Sequence, residues 1–361
     1  MSKEVNKIMK IKLAIIEKDT NYLNRIISVF NTKYSDKFEI YSFTEIEVAF
    51  ETLEHSKVDI VLVDEQYEID FDKIPKRCGF AYLTDSMGAD SINNQRAICK
   101  FQRVDLIYKQ ILSIYSENAG NISGLGISDD TCKVVAFTSP CGGTGSSTMA
   151  ASYAVYCAKK GKKVLYLNLE KFGSSDLFFS AEGQFDMSDV IFALKSKKTN
   201  LSIKLESCVK QDVTGVYFYS QTKNSLDMLE LQLEEKTRLV SEIKLSGVYD
   251  VVIVDTDFGF DSDNLKFLKL AENIIWIGDG SEISNIKINR AYSALMLKEE
   301  NEEEPLSNRI VLIYNKFSNK SGRAVSGVDI TNIGGAPRYE HASTKQVMEQ
   351  LCSLDLFEKL N

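Results

Sequence analysis

Histidine is almost missing from this chain: 361 residues contain only two, His55 and His341. Its seven cysteines, Cys78, Cys99, Cys132, Cys141, Cys157, Cys208 and Cys352, are scattered and form no C-x-x-C pair. Neither a zinc centre nor a disulfide framework is expected from that pattern. A surplus of positive charge is lacking as well. The formal net charge of −8 argues against a general nucleic-acid coat, which would need a basic surface to neutralise phosphates. The longest apolar runs, such as residues 251–254 (VVIV) and 274–277 (IIWI), have strand length and cannot span a bilayer. No internal repeat is visible, and the charged start Met1-Ser2-Lys3-Glu4 predicts no secretory signal. These absences predict a reduced, cytoplasmic protein. The length suffices for two domains, and 44% hydrophobic with 26% charged residues suits a globular chain.

What is present centres on Ser139-Pro140-Cys141-Gly142-Gly143-Thr144-Gly145-Ser146-Ser147-Thr148. Before it, residues 134–137 (VVAF) read as a buried strand; after it, Met149-Ala150-Ala151-Ser152 opens a helix of small residues. Strand, glycine loop and helix is the context of a phosphate-binding loop. Glycines let backbone N–H groups turn inward, and the helix N-terminus adds donors and a positive dipole end. The lysine expected before the hydroxyl pair is missing, and Ser146 stands in its place.

Residues 12–16 (KLAII) form a strand ending at Glu17-Lys18-Asp19, and Tyr22, Leu23, Ile26, Ile27 and Phe30 mark one helix face. Residues 38–43 alternate like a strand, residues 45–54 resemble a helix, and 58–64 (VDIVLVD) is an apolar strand closed by Asp64. Further strands at 80–83 and 97–99 end at Thr84 and Lys100, and 106–115 is an amphipathic helix. Such alternation predicts a doubly wound parallel sheet, whose ligands gather at the carboxyl ends of strands. Those ends carry Glu17, Asp19, Asp64, Thr84 and Lys100.

Residues 117–131 are rich in Gly, Ser, Asn and Asp without apolar periodicity, and read as a linker. The expected division is therefore 1–116, the linker 117–131, and 132–361. Beyond the glycine loop, strands are expected at 163–169, 213–219, 248–254, 271–277 and 310–314. Helices are expected at 189–195, within 225–243, and at about 344–354. The fold class is α/β, with two doubly wound parallel-sheet domains. The acidic run Glu299, Glu300, Glu302, Glu303 and Glu304 reads as a solvated loop. In the last helix, Val347, Leu351 and Leu354 suit packing on the domain better than membrane contact, because no Lys/Arg-rich polar face accompanies them.

The first segment resembles the receiver domains of two-component signalling. That resemblance makes Asp64 the phosphate-acceptor position, Thr84 the hydroxyl and Lys100 the lysine, with Glu17 the first member of a metal-holding acidic pair. Lys18 falls where the second acid should be, and Asp19 follows it. A cation there opposes Mg²⁺ by like-charge repulsion, so the expected use is a receiver-shaped docking scaffold.

The second segment resembles the MinD/ParA branch of P-loop ATPases, whose loop reads K-G-G-x-G-K-[ST]; here it is Cys141-Gly142-Gly143-Thr144-Gly145-Ser146-Ser147. The resemblance implies ATP or ADP with Mg²⁺, held by the loop from Cys141 to Thr148. It implies Ser147 and Asp255 as metal-side groups and Glu170 near an attacking water. Asn315 would read the adenine edge, with Pro337 and Arg338 around the base. Asn168 replaces an upstream aspartate. Cys141 replaces the lysine that reaches across a nucleotide-sandwich dimer, and Ser146 the one on the β- and γ-phosphates. Such a charge-assisted hydrogen bond contributes about 1.5–3 kcal/mol to binding, and losing a transition-state donor costs about 10²–10³ in rate. Lys171 beside Glu170 is the substitute charge nearest in sequence.

The two parts in this order resemble the TadZ/CpaE proteins that position Tad (Flp) pilus machinery. The expectation is an ATP-binding localisation or assembly factor, a homodimer with pilus secretion components as partners, recruited to a cell pole or assembly site. It would be a degenerate P-loop ATPase with weak or no hydrolysis. Membrane contact would be indirect, and nucleic acid is not favoured. The alternatives are an active MinD/ParA-like ATPase and a phosphorylation-controlled response-regulator-type protein.

Overall fold

A computed structural model describes residues 10–118, 132–196, 198–300 and 303–360. The expected linker therefore falls largely outside the described residues, at 119–131, as does Glu302 of the acidic run. In chain order, the first part forms β1 (Ile11–Ile16), α1 (Thr20–Lys33), β2 (Phe38–Phe43), α2 (Ile46–Ser56), β3 (Ile60–Asp64), β4 (Gly79–Thr84), β5 (Ser91–Ile92), β6 (Gln95–Cys99) and α3 (Val104–Asn118). The chain continues through β7 (Lys133–Thr138), α4 (Ser146–Lys159), β8 (Val164–Asn168), α5 (Met187–Lys195), α6 (Leu201–Cys208), β9 (Lys210–Gln211) and β10 (Tyr217–Phe218). It ends with α7 (Leu226–Leu229), α8 (Leu233–Leu245), β11 (Val251–Asp255), α9 (Ser262–Leu268), β12 (Asn273–Gly278), α10 (Glu282–Lys298), β13 (Ile310–Phe317), β14 (Thr331–Pro337) and α11 (Thr344–Leu351). Two compact units result: Met1–Ser123 with Ser196–Ser207, and Gly124–Lys195 with Cys208–Asn361.

The first unit holds a six-stranded sheet in the order β2-β1-β3-β4-β6-β5. It is parallel except for the β5–β6 pair. β3 is buried at every residue, as expected of a parallel strand covered on both faces. Leu23, Ile26 and Phe30 of α1 pack with Ile107, Tyr108 and Ile111 of α3 on one face. Ala49 and Leu53 of α2 cover the other, joined by Tyr67, Ile69 and Ile74 from the β3–β4 connection. The segment 196–207 belongs to this unit too. Its Glu206 accepts from Lys37 Nζ at 3.0 Å and from Tyr108 OH at 2.6 Å.

The second unit holds an eight-stranded sheet in the order β14-β13-β12-β7-β11-β8-β10-β9, parallel apart from the β9–β10 pair. β7 and β11 run at its centre and β8 flanks β11. Small residues let α4 lie close to the strands: Ala150, Ala151 and Ala154 are fully buried. The capping box of Ser343 with Gln346 starts α11, whose Met348 and Leu351 join the same core as α4. That agrees with packing of the last helix on its domain.

Two sequence expectations change. The strand expected at 213–219 is only Tyr217–Phe218; Val213 is 99% exposed, and the preceding residues turn through Gly215. Glu299 is buried rather than solvated, because it accepts from the backbone N–H groups of Leu306 (2.7 Å) and Ser307 (3.2 Å). Among the described residues, no helix is long and apolar enough to cross a membrane.

Candidate functional site

The glycine loop leaves the carboxyl end of β7 at the middle of the second sheet and enters α4. Its turn is knotted by side chains. Ser139 Oγ donates to the Cys141 carbonyl at 2.8 Å, and Thr144 Oγ1 donates to Ser139 Oγ at 3.0 Å. Gly143 and Gly145 adopt φ of 82° and 87°, the left-handed region that glycine enters without a Cβ penalty. The N–H groups of Gly143, Thr144 and Gly145 have no acceptor among the described residues. With the open first turn of α4 they form a nest of donors. Thr148 lies in that turn, and Cys141 is buried against the loop.

The strand register brings Asp255, at the end of β11, beside Phe137 of β7 and Asn168 of β8. Asp255 is fully buried. Its Oδ2 accepts from Tyr166 OH at 2.7 Å and Asn168 Nδ2 at 3.1 Å, while its Oδ1 accepts no hydrogen bond among the described residues. Burial, and then the charge of Glu170, push its carboxyl up to about 8. Ser147 Oγ donates to Glu170 Oε2 at 3.1 Å, and Asn168 Nδ2 reaches the same oxygen at 3.3 Å. Ser146 Oγ is buried without a hydrogen-bond partner among the described residues. A hydroxyl, a carboxylate with an unmatched oxygen, and a second carboxylate nearby form the hard oxygen donor set that suits Mg²⁺. These residues fit the metal.

At the carboxyl end of β13, Asn315 is buried and its Nδ2 donates to the Thr144 carbonyl at 2.8 Å. Lys316 Nζ donates to the Gly143 carbonyl at 2.8 Å. Sequence reasoning gave Lys316 no role; its only signal was adjacency to Asn315 at a strand end. Pro337 and Arg338 are exposed where β14 pairs beside Phe317, and neither hydrogen-bonds to the loop. Lys171 is exposed, and its backbone N–H donates to Asp257 Oδ2. A pocket of about 230 Å³ opens beside the loop rather than at it, lined by Asn168, Glu170, Ser175, Tyr219 and Ser220 among others.

In the first unit, Glu17, Asp64, Thr84 and Lys100 converge at the carboxyl ends of β1, β3, β4 and β6, and all four are buried. Lys100 Nζ lies 3.4 Å from Glu17 Oε2, 3.4 Å from Asp64 Oδ2 and 2.7 Å from Asp85 Oδ1. Burial, with Asp64 alongside, pushes the Glu17 carboxyl up to about 7. Thr84 Oγ1 donates to Glu65 Oε2 at 2.7 Å, a partner the sequence did not announce. Asp19 points elsewhere: it caps α1, accepting from the Asn21 and Tyr22 N–H groups. Lys18 Nζ donates to the Gln66 carbonyl at 2.9 Å and lies over the Tyr67 ring. The Lys100 ammonium already meets the Glu17 and Asp64 carboxylates, and the Thr84 hydroxyl is bonded to Glu65, so the charge that a divalent cation would meet is taken. Mg²⁺ does not fit this pocket.

These two carboxyl-end sites define the class: a receiver-type sheet joined in one chain to a P-loop α/β sheet. A ParA family ATPase from Chlorobium tepidum TLS superposes with a TM-score of 0.50 at 18% identity, covering 64% of this chain and 96% of that one. At that identity the likeness shows the fold. MinD in the MinC:MinD cell division complex of Aquifex aeolicus gives a TM-score of 0.49 at 19% identity, covering 63% of this chain and 95% of that one. No curated protein matches by sequence. Residues 9–116 match the family model of the TadZ-like receiver domain. The first part of the chain is thus similar to the TadZ-like receiver domain over those residues, and the second unit shares its fold with the ParA family ATPase.

Proposed function

We propose that this chain is a nucleotide-binding localisation or assembly factor of a Tad-type pilus system, in which ATP–Mg²⁺ is a structural, dimer-promoting ligand. The domain division 1–116 and 132–361, with a linker between, belongs to this reading, apart from the segment 196–207, which clusters with the first unit. One observation carries it: the loop keeps its unpaired N–H donors, Ser147 and the half-satisfied Asp255, yet contains no lysine. Backbone donors and the α4 N-terminus hold phosphates, and Ser147 with Asp255 holds the metal. Mg²⁺ supplies charge neutralisation between phosphate oxygens when bound. Asn315 keeps an amide proton and its carbonyl oxygen for the base edge, with Pro337 and Arg338 beside it. Transition-state charge has no loop lysine to meet it, so turnover is slow or absent. The TadZ-like receiver domain supports the pilus setting, where the first unit docks partners and brings the cytoplasmic protein to the assembly site. Light scattering with and without ATP–Mg²⁺ tests the proposal: a dimer only with nucleotide is expected, and a monomer in both conditions overturns it.

The contact between Ser147 and Glu170 favours a second reading, a true ATPase with Glu170 as the water-positioning carboxylate. Phosphate release that disappears in both Glu170→Ala and Asp255→Ala would establish that reading instead.

A further inference from the structure

Asn315 and Lys316 hold two consecutive carbonyls of the glycine loop, Thr144 and Gly143 respectively. In a planar trans peptide the C=O of one residue and the N–H of the next point in opposite directions. Drawing the Gly143 and Thr144 carbonyls toward β13 therefore turns the N–H groups of Thr144 and Gly145 the other way, into the nest. The approach is close: a Cβ on Gly145 would lie 2.6 Å from Asn315 Nδ2. Lys316 itself takes a left-handed backbone conformation, φ 57°, while its side chain returns to the loop. A non-glycine residue adopts that conformation at a cost, and tertiary contacts must hold it there. The loop has no cation of its own, since Cys141 and Ser146 stand at both lysine positions, and Lys171 shows no side-chain hydrogen bond to it among the described residues.

We propose that Asn315 and Lys316 form a two-carbonyl clamp that holds the glycine loop ready for a polyphosphate, the Lys316 ammonium supplying at the loop's edge the charge that the loop lacks. Lys316 is a positioning residue, acting through the Gly143 peptide. The proposal rests on the nucleotide reading above for its ligand, though not for the clamp itself.

The test uses the full-length protein as wild type, Lys316→Ala and Lys316→Arg. Without nucleotide, amide hydrogen exchange over residues 139–147 should be about 10-fold faster in Lys316→Ala, the loss of one charge-assisted bond, and restored in Lys316→Arg. Unchanged exchange in Lys316→Ala overturns the clamp. By calorimetry, ADP affinity should fall about 10-fold in Lys316→Ala while adenosine affinity is kept. Equal losses for both ligands overturn the charge role. If wild type binds neither ADP nor adenosine, the nucleotide reading fails, and the exchange experiment still decides the clamp.

Discussion

The acidic pocket of the first unit and the glycine loop of the second occupy the same position in their folds, at the carboxyl ends of central parallel strands. Their bonding differs in kind. In the pocket, the charges are met internally: Lys100 faces three carboxylates, Thr84 donates to Glu65, Asp19 caps α1 and Lys18 holds the Gln66 carbonyl, and Glu17 Oε2, which accepts no hydrogen bond among the described residues, lies 3.4 Å from the Lys100 ammonium. At the loop, backbone N–H groups, Ser146 Oγ and Asp255 Oδ1 are left unmatched. Buried polar groups without partners carry a free-energy cost that a ligand can relieve. The same topology therefore yields one site whose charges are paired internally and one whose backbone donors are left open.

Removing the internal cation should break this contrast most strongly. Lys100→Met leaves Glu17 and Asp64 buried together without a counter-charge, and should destabilise the first unit by about 3–5 kcal/mol. Urea unfolding followed by the first unit's tyrosines measures it, and adding Glu17→Gln should recover part of the loss. A change below about 1 kcal/mol would mean that the pocket is not closed by its ion pairs. At the loop the next largest effect is on ligand binding. Asp255→Asn should lower ADP affinity about 100-fold in Mg²⁺ and little in EDTA, as removal of a charged metal-side group requires. Equal affinities in the two media would remove Asp255 from the metal side.

Much of the contrast could be read in the sequence, and its limits have physical causes. Apolar strands closed by a polar residue gave away β1, β3, β4, β8 and β11, and with them Glu17, Asp64, Thr84 and Asp255. Helix α10 was harder, because its exposed face carries Ile283, Ile286 and Leu297 and no clean apolar stripe separates inside from outside. Strand β14 hides in a Gly-Gly-Ala-Pro run that normally signals a turn; an edge strand tolerates it because one side needs no ladder partner. Lys316 and Glu65 were invisible for another reason. Each acts on a residue brought close only by strand order, and Lys316 needs a left-handed backbone as well.

A smaller effect follows from pH. A carboxyl raised by folding keeps its proton in the native state after the unfolded chain has lost it. Glu17, with its ordinary value of 4.5 raised to about 7, therefore contributes stability below pH 4.5, and this is lost as pH rises through about 7. Between pH 5 and 7 the first unit should lose on the order of 2 kcal/mol from this group. Asp64 is shifted the other way: burial works against it, but hydrogen bonds from Glu17 and the Gln66 N–H hold its carboxyl below the usual range. Its contribution is therefore present above its unfolded value and lies outside this window. Unfolding curves at several pH values should flatten in Glu17→Gln. An unchanged slope would place the titrating group elsewhere.

The smallest expected effect is none, and it bears most directly on the difference between the two sites. A phosphodonor needs Asp64 as a free nucleophile, a divalent cation to neutralise the incoming oxygens, and a hydroxyl and ammonium to receive them. Here Asp64 Oδ2 faces Lys100 and its Oδ1 accepts from the Gln66 N–H, while the Thr84 hydroxyl is spent on Glu65. The Lys100 ammonium already lies against Glu17 and Asp64, where Mg²⁺ would have to sit, and like charges a few ångströms apart repel by about 4 kcal/mol at an effective dielectric constant of about 20. Acetyl phosphate with Mg²⁺ should therefore leave the intact mass unchanged. Lys18→Asp alone should not restore modification, because Glu65 still holds Thr84. A phosphoryl mass increase in wild type that vanishes in Asp64→Asn would show that the pocket opens in solution, and the contrast between an internally paired and an open site would fall.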